Sequence, residues 1–302
     1  MVVVLAGGTG GAKLARGMLD VVGAERLCVI VNTADDIEAY GVHVSPDPDL
    51  VTYWLADLID ERGYGIRGDS FGVMEALESA GEPAWFRLGD RDLAMCLIRT
   101  ERLRAGERLT SAQAAVASAL GVGARVLPMS DDPVRAHVRS DGRLRPFQEF
   151  MILDGGAAPI EGVELAGIER ARPSPEALAA IAAAEAIVIG PSNPIISIGP
   201  ILAIPGLRAA LVAARAPVVA VSPFVGGRAV KGPTDAFMAQ ARLPLGAEGV
   251  ARAYAGVLDG LVAEEPAPGV AVLEADTLMA SSQARRRVAA LTLEFAASLP
   301  RA

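Results

Sequence analysis

Two unbroken apolar runs, Val2 to Ala6 and Leu27 to Val31, lie near the start of the chain. A strand with one wet face alternates apolar and polar side chains, so unbroken runs predict strands covered on both faces, as in a parallel sheet under helices. Between them Leu14, Met18, Val21 and Val22 recur at helical spacing and predict a helix over Gly11 to Val22. Strand, turn, helix and strand in that order make a right-handed crossover unit. Asp49 reads as the N-cap of a helix through about Asp60, and Ser70 as the start of another carrying Val73, Met74 and Leu77.

The pattern then loosens. "DLAMCLIRTERLRAG" and "TSAQAAVASALG" predict two helices joined by a short turn, whereas "ARVLPMS", "VRAHVRS" and "RLRPFQEFMIL" alternate in polarity and predict short hairpin-style strands. From "PEALAAIAAAEAIVIG" onward the helix-strand alternation returns, with strands at Ala186 to Ile189 and Pro217 to Val221 and a closing helix near Ala280 to Ala297. The expected fold is α/β: a single domain whose Rossmann-like parallel-sheet core comes from 1–91 and 171–302, with an α+β subdomain inserted at about 92–170.

Composition supports this and narrows the partners. The 302 residues are 52% hydrophobic but only 4% aromatic, which suits helices and buried parallel strands better than a β-sandwich. A net charge of −8 leaves no basic surface to follow a nucleic-acid backbone. An acidic chain that handles phosphates must neutralise them locally, with a few cations, backbone N–H groups or a divalent metal, for which magnesium is the economical choice. Cys28 and Cys96 sit in apolar runs and read as buried thiols of a reducing cytosol, and with His43 and His137 they assemble no zinc site. No basic leader and no membrane-length apolar run is visible, so a cytoplasmic protein is expected.

Three loops concentrate the chemistry. "GGTGGAKL" follows the first strand and opens a helix, so backbone N–H groups face outward and predict an anion, most simply a diphosphate. It is not a P-loop, because Ala12 and Leu14 flank Lys13 where Gly and Ser or Thr are needed. It is not a dinucleotide fingerprint either, because Lys13 replaces the third Gly and Asn32 the acidic residue after the second strand, which disfavours an NAD-dependent dehydrogenase. "NTADDIEAYGVHVSPDPDL" brings Asn32, Asp35, Asp36, Asp47 and Asp49 to the same carboxyl edge. In an extended "DPD", Asp47 and Asp49 would point the same way and could hold a hard cation. "IVIGPSNPIISIGPI" offers Ser192, Asn193 and the Ile198–Gly199 backbone on a proline-stiffened loop suited to a phosphate or a base edge. "RLGDRD" adds Arg87 and Arg91.

Taken together, "GGTGGAKL", "NTADD", "SPDPD", "LGDRD", "LPMSDDP", "FQEF", "GPSNPIISIGP", "AVSP" and "ADTLM" resemble the 2-phospho-L-lactate transferase family of coenzyme F-420 biosynthesis, including its phosphoenolpyruvate-transferring members. The resemblance runs in order from Val2 to Met279. It implies a Rossmann-like fold with a lid-like insertion, a homodimer, and a magnesium-dependent reaction. In that reaction a phospho-lactyl or phospho-enolpyruvyl group passes from a guanosine diphosphate donor to the ribityl hydroxyl of the deazaflavin Fo, and GMP leaves. By similarity, Gly8, Thr9, Gly10 and Lys13 cradle the phosphates. Asn32, Ser192, Asn193, Ile198 and Gly199 take the nucleotide. Asp35 and Asp49 hold the metal, with Asp47 as the alternative; Asp49 and Arg87 lie near Fo, Arg91 steadies charge, and Asp49 is a candidate acceptor of the hydroxyl proton. Pro48 departs from the usual family Leu, and "GGAK" matches bacterial relatives rather than the archaeal "GTPK", which favours the enolpyruvyl donor. A regulatory, nucleotide-sugar-binding protein of the gluconeogenesis-factor type is the competing reading, against which "SPDPD" followed by "LGDRD" argues.

Overall fold

The computed structural model describes residues 1–157 and 159–300. The first two apolar runs are β1 (Val2–Ala6) and β2 (Leu27–Val31), joined through α1 (Gly8–Val22). A small hairpin, β3 (Ile37–Ala39) and β4 (Val42–Val44), leads to α2 (Pro46–Leu55), α3 (Gly72–Ser79), α4 (Asp90–Arg104) and α5 (Leu109–Ala119). Next come β5 (Arg125–Pro128), β6 (Arg135–Ser140), β7 (Arg143–Pro146), α6 (Phe147–Ile152) and β8 (Gly162–Ala166). The chain then returns through α7 (Pro175–Ala182), β9 (Ala186–Ile189), α8 (Gly199–Ala203), α9 (Leu207–Val212) and β10 (Val218–Val221). Two-residue strands β11 (Phe224–Val225) and β12 (Arg228–Ala229) precede α10 (Thr234–Gln240) and α11 (Ala247–Ala253), and β13 (Gly260–Ala263), β14 (Ala271–Glu274) and α12 (Ser282–Ser298) follow.

Seven strands form one sheet in the order β14-β13-β10-β9-β1-β2-β5, and every neighbouring pair is parallel. Val4 sits between Val29 and Val188 at its centre. Val3 and Leu5 face one hydrophobic cluster, and Val2, Val4 and Ala6 face the other, so β1 has no wet side. That is why its sequence contains no polar position. From β1 the chain order runs outward in both directions, which puts the topological switch between β1 and β9. In open α/β sheets this is where a crevice opens at the carboxyl ends of the strands.

Several boundaries differ from the sequence expectation. β5 pairs in parallel with β2, Val29 opposite Val126, and so belongs to the core sheet; the separate antiparallel sheet is β7-β6-β8. "FQEFM" is helical, not a strand, because Phe147, Phe150 and Met151 lie at i, i+3 and i+4 and put Phe150 into the core. Helix α3 begins at Gly72 rather than Ser70: Asp90 accepts from Ser70 Oγ (2.7 Å), Gly72 N (3.0 Å) and Val73 N (3.0 Å), supplying from α4 the acceptor that a local N-cap would have provided.

The correction with most consequence is at "SPDPD". Helix α2 starts at Pro46 behind Ser45, not at Asp49. Pro46 is preset for the first helical position, and the N–H missing at Pro48 is one of those a helix leaves unbonded anyway. Asp47 and Asp49 are therefore two residues apart on a helix, about 200° around its axis, and face different neighbours. The parallel alignment expected from an extended "DPD" does not occur. Among the described residues no helix is long and apolar enough to cross a membrane.

Candidate functional site

Helix α1 begins at Gly8, three residues earlier than its apolar spacing predicts, so "GTG" forms its first turn and the leading N–H groups have no partner within the helix. Gly8 has a φ of 66°, and a Cβ on Gly10 would lie 1.9 Å from the Pro191 carbonyl oxygen. Glycine is required at Gly10 by the close approach of the loop after β9. The two loops are tied directly: Gly7 N donates to Ser192 Oγ at 3.2 Å. The first turn of α2 joins them through Asp47, which accepts from Gly8 N at 2.6 Å and from Asn32 Nδ2 at 2.9 Å.

Above these loops lies a cleft of about 840 Å³. Gly8, Thr9, Gly10 and Lys13 line it from α1, Ser192, Asn193 and Ser197 from the loop after β9, and Ser222 and Thr277 from beyond β10 and β14. Five cationic side chains also reach it: Lys13, Arg62, Arg67, Lys231 and Arg285. Lys13 Nζ is 5.9 Å and Arg285 Cζ 5.0 Å from the Trp54 ring centroid. Burial first, then the like charges of Lys231 and Arg285, hold Lys13 below the ordinary lysine range. Burial alone lowers Lys231, and burial, followed by Arg16, lowers Arg285 against the pull of Asp20 and Asp57. Asp60, paired with Arg62 at 2.6 Å, and Glu61 also line the cleft, so a chain of net charge −8 places five cations against two carboxylates near a helix N-terminus.

The acidic loop forms the opposite kind of environment. Asp35, Asp36, Asp47 and Asp49 are all buried. Burial, then the Asp47 charge, pushes Asp35 well above the usual carboxylate range, and burial pushes Asp47 up to about 6 with Asp36 adding to it. Asp36 is held by His43 Nε2 (2.9 Å) and Ser45 Oγ (2.7 Å). Asp35 is the exception, since among the described residues its Oδ1 is buried without a hydrogen-bond partner. It lines a second cavity of about 210 Å³ with Asp36, Glu38, Trp85, Arg135 and Phe147, and Phe147 also lines the larger cleft. A free buried carboxylate oxygen beside a second raised carboxylate fits a hard divalent cation.

Asp49 lies in a different setting. Its two oxygens accept from the guanidinium of Arg99, which is fully buried and also donates to Gln113 Oε1 (3.1 Å) and the His43 carbonyl (3.3 Å). Burial raises Asp49, and Arg99 opposes it. Ligand atoms of Asp49, Asp92 and Cys96 all lie within 4.8 Å of one another, with Asp92 pushed up to about 7 by burial and then by Asp49, while Tyr53 Oη donates to it at 2.5 Å. A guanidinium already supplies the positive charge there.

Of the residues singled out from the sequence, Gly8, Thr9, Gly10, Lys13, Ser192 and Asn193 come together on the large cleft. Asn32 is fully buried beneath it, with its side chain engaged by Asp47 and Ala34 N. Ile198 is in the core, and Gly199 opens α8. Arg87 is on the surface, paired with Glu78 at 2.7 Å, and exposed Arg91 reaches the Arg67 carbonyl at 3.4 Å. Among the cleft residues that escaped sequence reasoning are Trp54, Arg62, Arg67, Lys231 and Arg285. Lys231 had a signal, since Lys13 and Lys231 are the only two lysines in the chain.

The open parallel sheet, with a glycine-lined and cation-rich cleft at its switch point, defines a Rossmann-like protein whose cleft is chemically suited to a small anionic molecule. The profile of one family, described as 2-phospho-L-lactate transferase CofD, matches residues 2–290, and the chain belongs to that family. It is 38% identical over 302 residues to the 2-phospho-L-lactate transferase of Methanosarcina mazei, covering 97% of this chain and 99% of that one. It is 40% identical over 312 residues to the phosphoenolpyruvate transferase of Kitasatospora aureofaciens, covering 98% and 97%. Its fold is also similar to the crystal structure of a UPF0052-family protein from Bacillus halodurans, with a TM-score of 0.63 and 19% identity over 97% of this chain and 98% of that one. Family membership makes the chain a transferase associated with coenzyme F-420 biosynthesis.

Proposed function

We propose that this transferase moves a phosphoenolpyruvyl or 2-phospho-L-lactyl group from its guanosine diphosphate donor to the ribityl hydroxyl of Fo and releases GMP. The observation that carries the reading is the convergence of the α1 N-terminus with Lys13, Lys231 and Arg285 on one cleft in an acidic chain. Such a cleft suits a diphosphate, whose charge needs fixed donors more than it needs covalent help. The acceptor oxygen bonds to the phosphorus that carries the organic acid, the bridging P–O bond breaks towards GMP, and the hydroxyl proton passes to the departing GMP phosphate, since Asp49 is buried against Arg99. In-line alignment of these atoms is the main task of the protein. Gly8, Thr9, Gly10 and Lys13 hold the phosphates, and Ser192, Asn193 and Ser197 position the nucleotide. Asp35 and Asp47 are the residues best disposed to hold magnesium, more so than Asp49, whose oxygens already face Arg99. When bound, the ion would neutralise charge on the bridging and departing oxygens.

The sharing of Phe147 by the two cavities supports an acceptor hydroxyl arriving from the smaller one toward a donor in the larger. Phe147 and Met151 both belong to the 92–170 segment and line the cleft, which supports a lid-like role for that subdomain. Two buried, free cysteines agree with a reducing cytoplasm, and homodimer assembly is carried over from the family. Mass spectrometry of Fo incubated with magnesium and either guanosine diphosphate ester tests the reaction. Product mass from one of the esters, abolished by a chelator and restored by magnesium, is expected. Product from neither ester would overturn the transfer, and product undiminished by chelation would overturn the metal.

A further inference from the structure

Lys231 stands outside every motif that pointed to the site. It lies just past β12, on the segment that leaves the β11–β12 hairpin and reaches back across the cleft to the start of α1. There Lys231 Nζ donates to Thr9 Oγ1 at 3.2 Å and lies 5.7 Å from the Tyr64 ring centroid. Gly63, on the loop from the other rim, is so close that a Cβ there would be 3.7 Å from Nζ and 3.9 Å from Thr9 Cγ2. Two rim loops and the first turn of α1 therefore meet at this one ammonium group.

Its electrostatic setting is equally specific. Burial lowers both Lys231 and Lys13, and Lys231 acts on Lys13 by repulsion; of the two carboxylates that line the cleft, Asp60 is paired with Arg62. Two like charges facing one cleft destabilise each other until an anion lies between them. Elsewhere the chain uses arginine for every fixed cation of this kind, and several of those arginines are paired on the surface, as Arg26 is with Glu185 and Arg87 with Glu78. Both lysines are in the cleft. A lysine ammonium is a compact point charge with three donors and can turn from one oxygen to another on a flexible stem, which a planar guanidinium does less readily.

We propose that Lys231 is a diphosphate ligand of the bound donor: Thr9 Oγ1 holds its ammonium at the cleft rim in the free protein, and the donor's phosphates take over that contact, closing the 224–233 segment against the α1 N-terminus opposite Lys13. The inference rests on the guanosine diphosphate reading for the nucleotide but not for the diphosphate. Lys13 meets the phosphates from the helix, and Lys231 from the rim loop. A donor held between them is shielded from water on the side away from the sheet.

Having only two lysines makes the test direct on the unmutated chain. Reductive 13C-methylation yields two dimethyl-lysine signals besides the N-terminus, and Lys231→Met assigns them. Addition of GDP is expected to shift both signals and to raise the pH midpoint of each. GDP is also expected to bind Lys231→Met about 10- to 100-fold more weakly, the loss typical of one hydrogen bond to a charged group, with guanosine affinity unchanged. Trypsin cleavage after Arg228 should be slowed by GDP in the native chain and not in the variant. A Lys231 signal that moves with neither GDP nor inorganic pyrophosphate overturns the proposal whatever the transferase assay gives. A signal that moves with pyrophosphate but not GDP upholds Lys231 as the diphosphate ligand and refutes the guanosine donor. Equal losses of GDP and guanosine affinity in Lys231→Met would reveal a merely structural role and also overturn it.

Discussion

Replacing Arg99 by Met tests whether the ion pair with Asp49 holds the acidic end of the molecule together. The guanidinium is fully buried and donates to both Asp49 oxygens, to Gln113 Oε1 and to the His43 carbonyl. Without it Asp49 remains buried with no counter-charge, and breaking such a pair from one side costs about 3–5 kcal/mol. Protonation of Asp49 limits the cost. Burial already raises its pKa, and loss of the opposing Arg99 raises it further. A carboxyl whose folded pKa exceeds its unfolded value favours the folded state below the unfolded pKa, and that contribution is lost as pH rises through the folded pKa. Urea unfolding of Arg99→Met should therefore show the full loss at alkaline pH and a smaller one at mildly acidic pH. The double variant Arg99→Met/Asp49→Leu should recover much of the stability, since an apolar pair of similar volume leaves no buried charge. A loss below about 1 kcal/mol, a loss that does not vary with pH, or a double variant as unstable as the sum of the singles would refute the reasoning.

Three further outcomes follow from the cleft. Gly10→Ala puts a Cβ 1.9 Å from the Pro191 oxygen, so it should lower the melting temperature and abolish GDP binding, whereas Gly162→Ala, whose Cβ would meet only Arg139 Cβ at 3.9 Å, should bind GDP as the native chain does. GDP binding at alkaline pH should take up protons, because an anion restores the depressed pKa values of Lys13 and Lys231; calorimetry in buffers of different ionisation enthalpy measures this, and affinity should fall as pH rises. Trp54→Ala removes the ring that faces Lys13 and Arg285 and should weaken GDP by roughly 0.5–2 kcal/mol, with Trp54→Phe intermediate in a fluorescence titration reported by Trp85.

The sheet was legible in the sequence because its strands have no wet face. Val2–Ala6, Leu27–Val31, Ala186–Ile189 and Val218–Val221 are all fully buried, so their composition carries their environment. β5 was read as part of a hairpin because its outer end is wet: Arg125 is exposed at the edge of the sheet, and the polarity of an edge strand resembles that of a two-stranded ribbon. Local propensity misplaced α3 for a different reason. Its capping acceptor is Asp90, on another helix, and no local window contains that bond.

The site was legible only where backbone geometry made it so. Glycines at Gly8 and Gly10 announce a positive φ and a close approach, which are properties of the position itself, and the residues they belong to do line the cleft. Side chains that act from a distance leave no such mark. Arg285 enters from the closing helix, beyond the last motif at Met279, and one arginine among the three at 285–287 gives no sign of which faces inward. The acidic loop shows how a local phase error redistributes roles. An extended "DPD" would combine two carboxylates into one cation site, but the helical first turn sends Asp47 to Gly8 and Asn32 and leaves Asp49 to Arg99. One short segment therefore serves two environments: a carboxylate that braces the glycine turn at the start of α1 and a buried ion pair with Arg99. Asp35 keeps a buried oxygen without a hydrogen-bond partner among the described residues, which a cation could take. Composition held a better clue than any motif. In a chain that otherwise chooses arginine, both lysines line one cleft, one from α1 and one from the segment after β12.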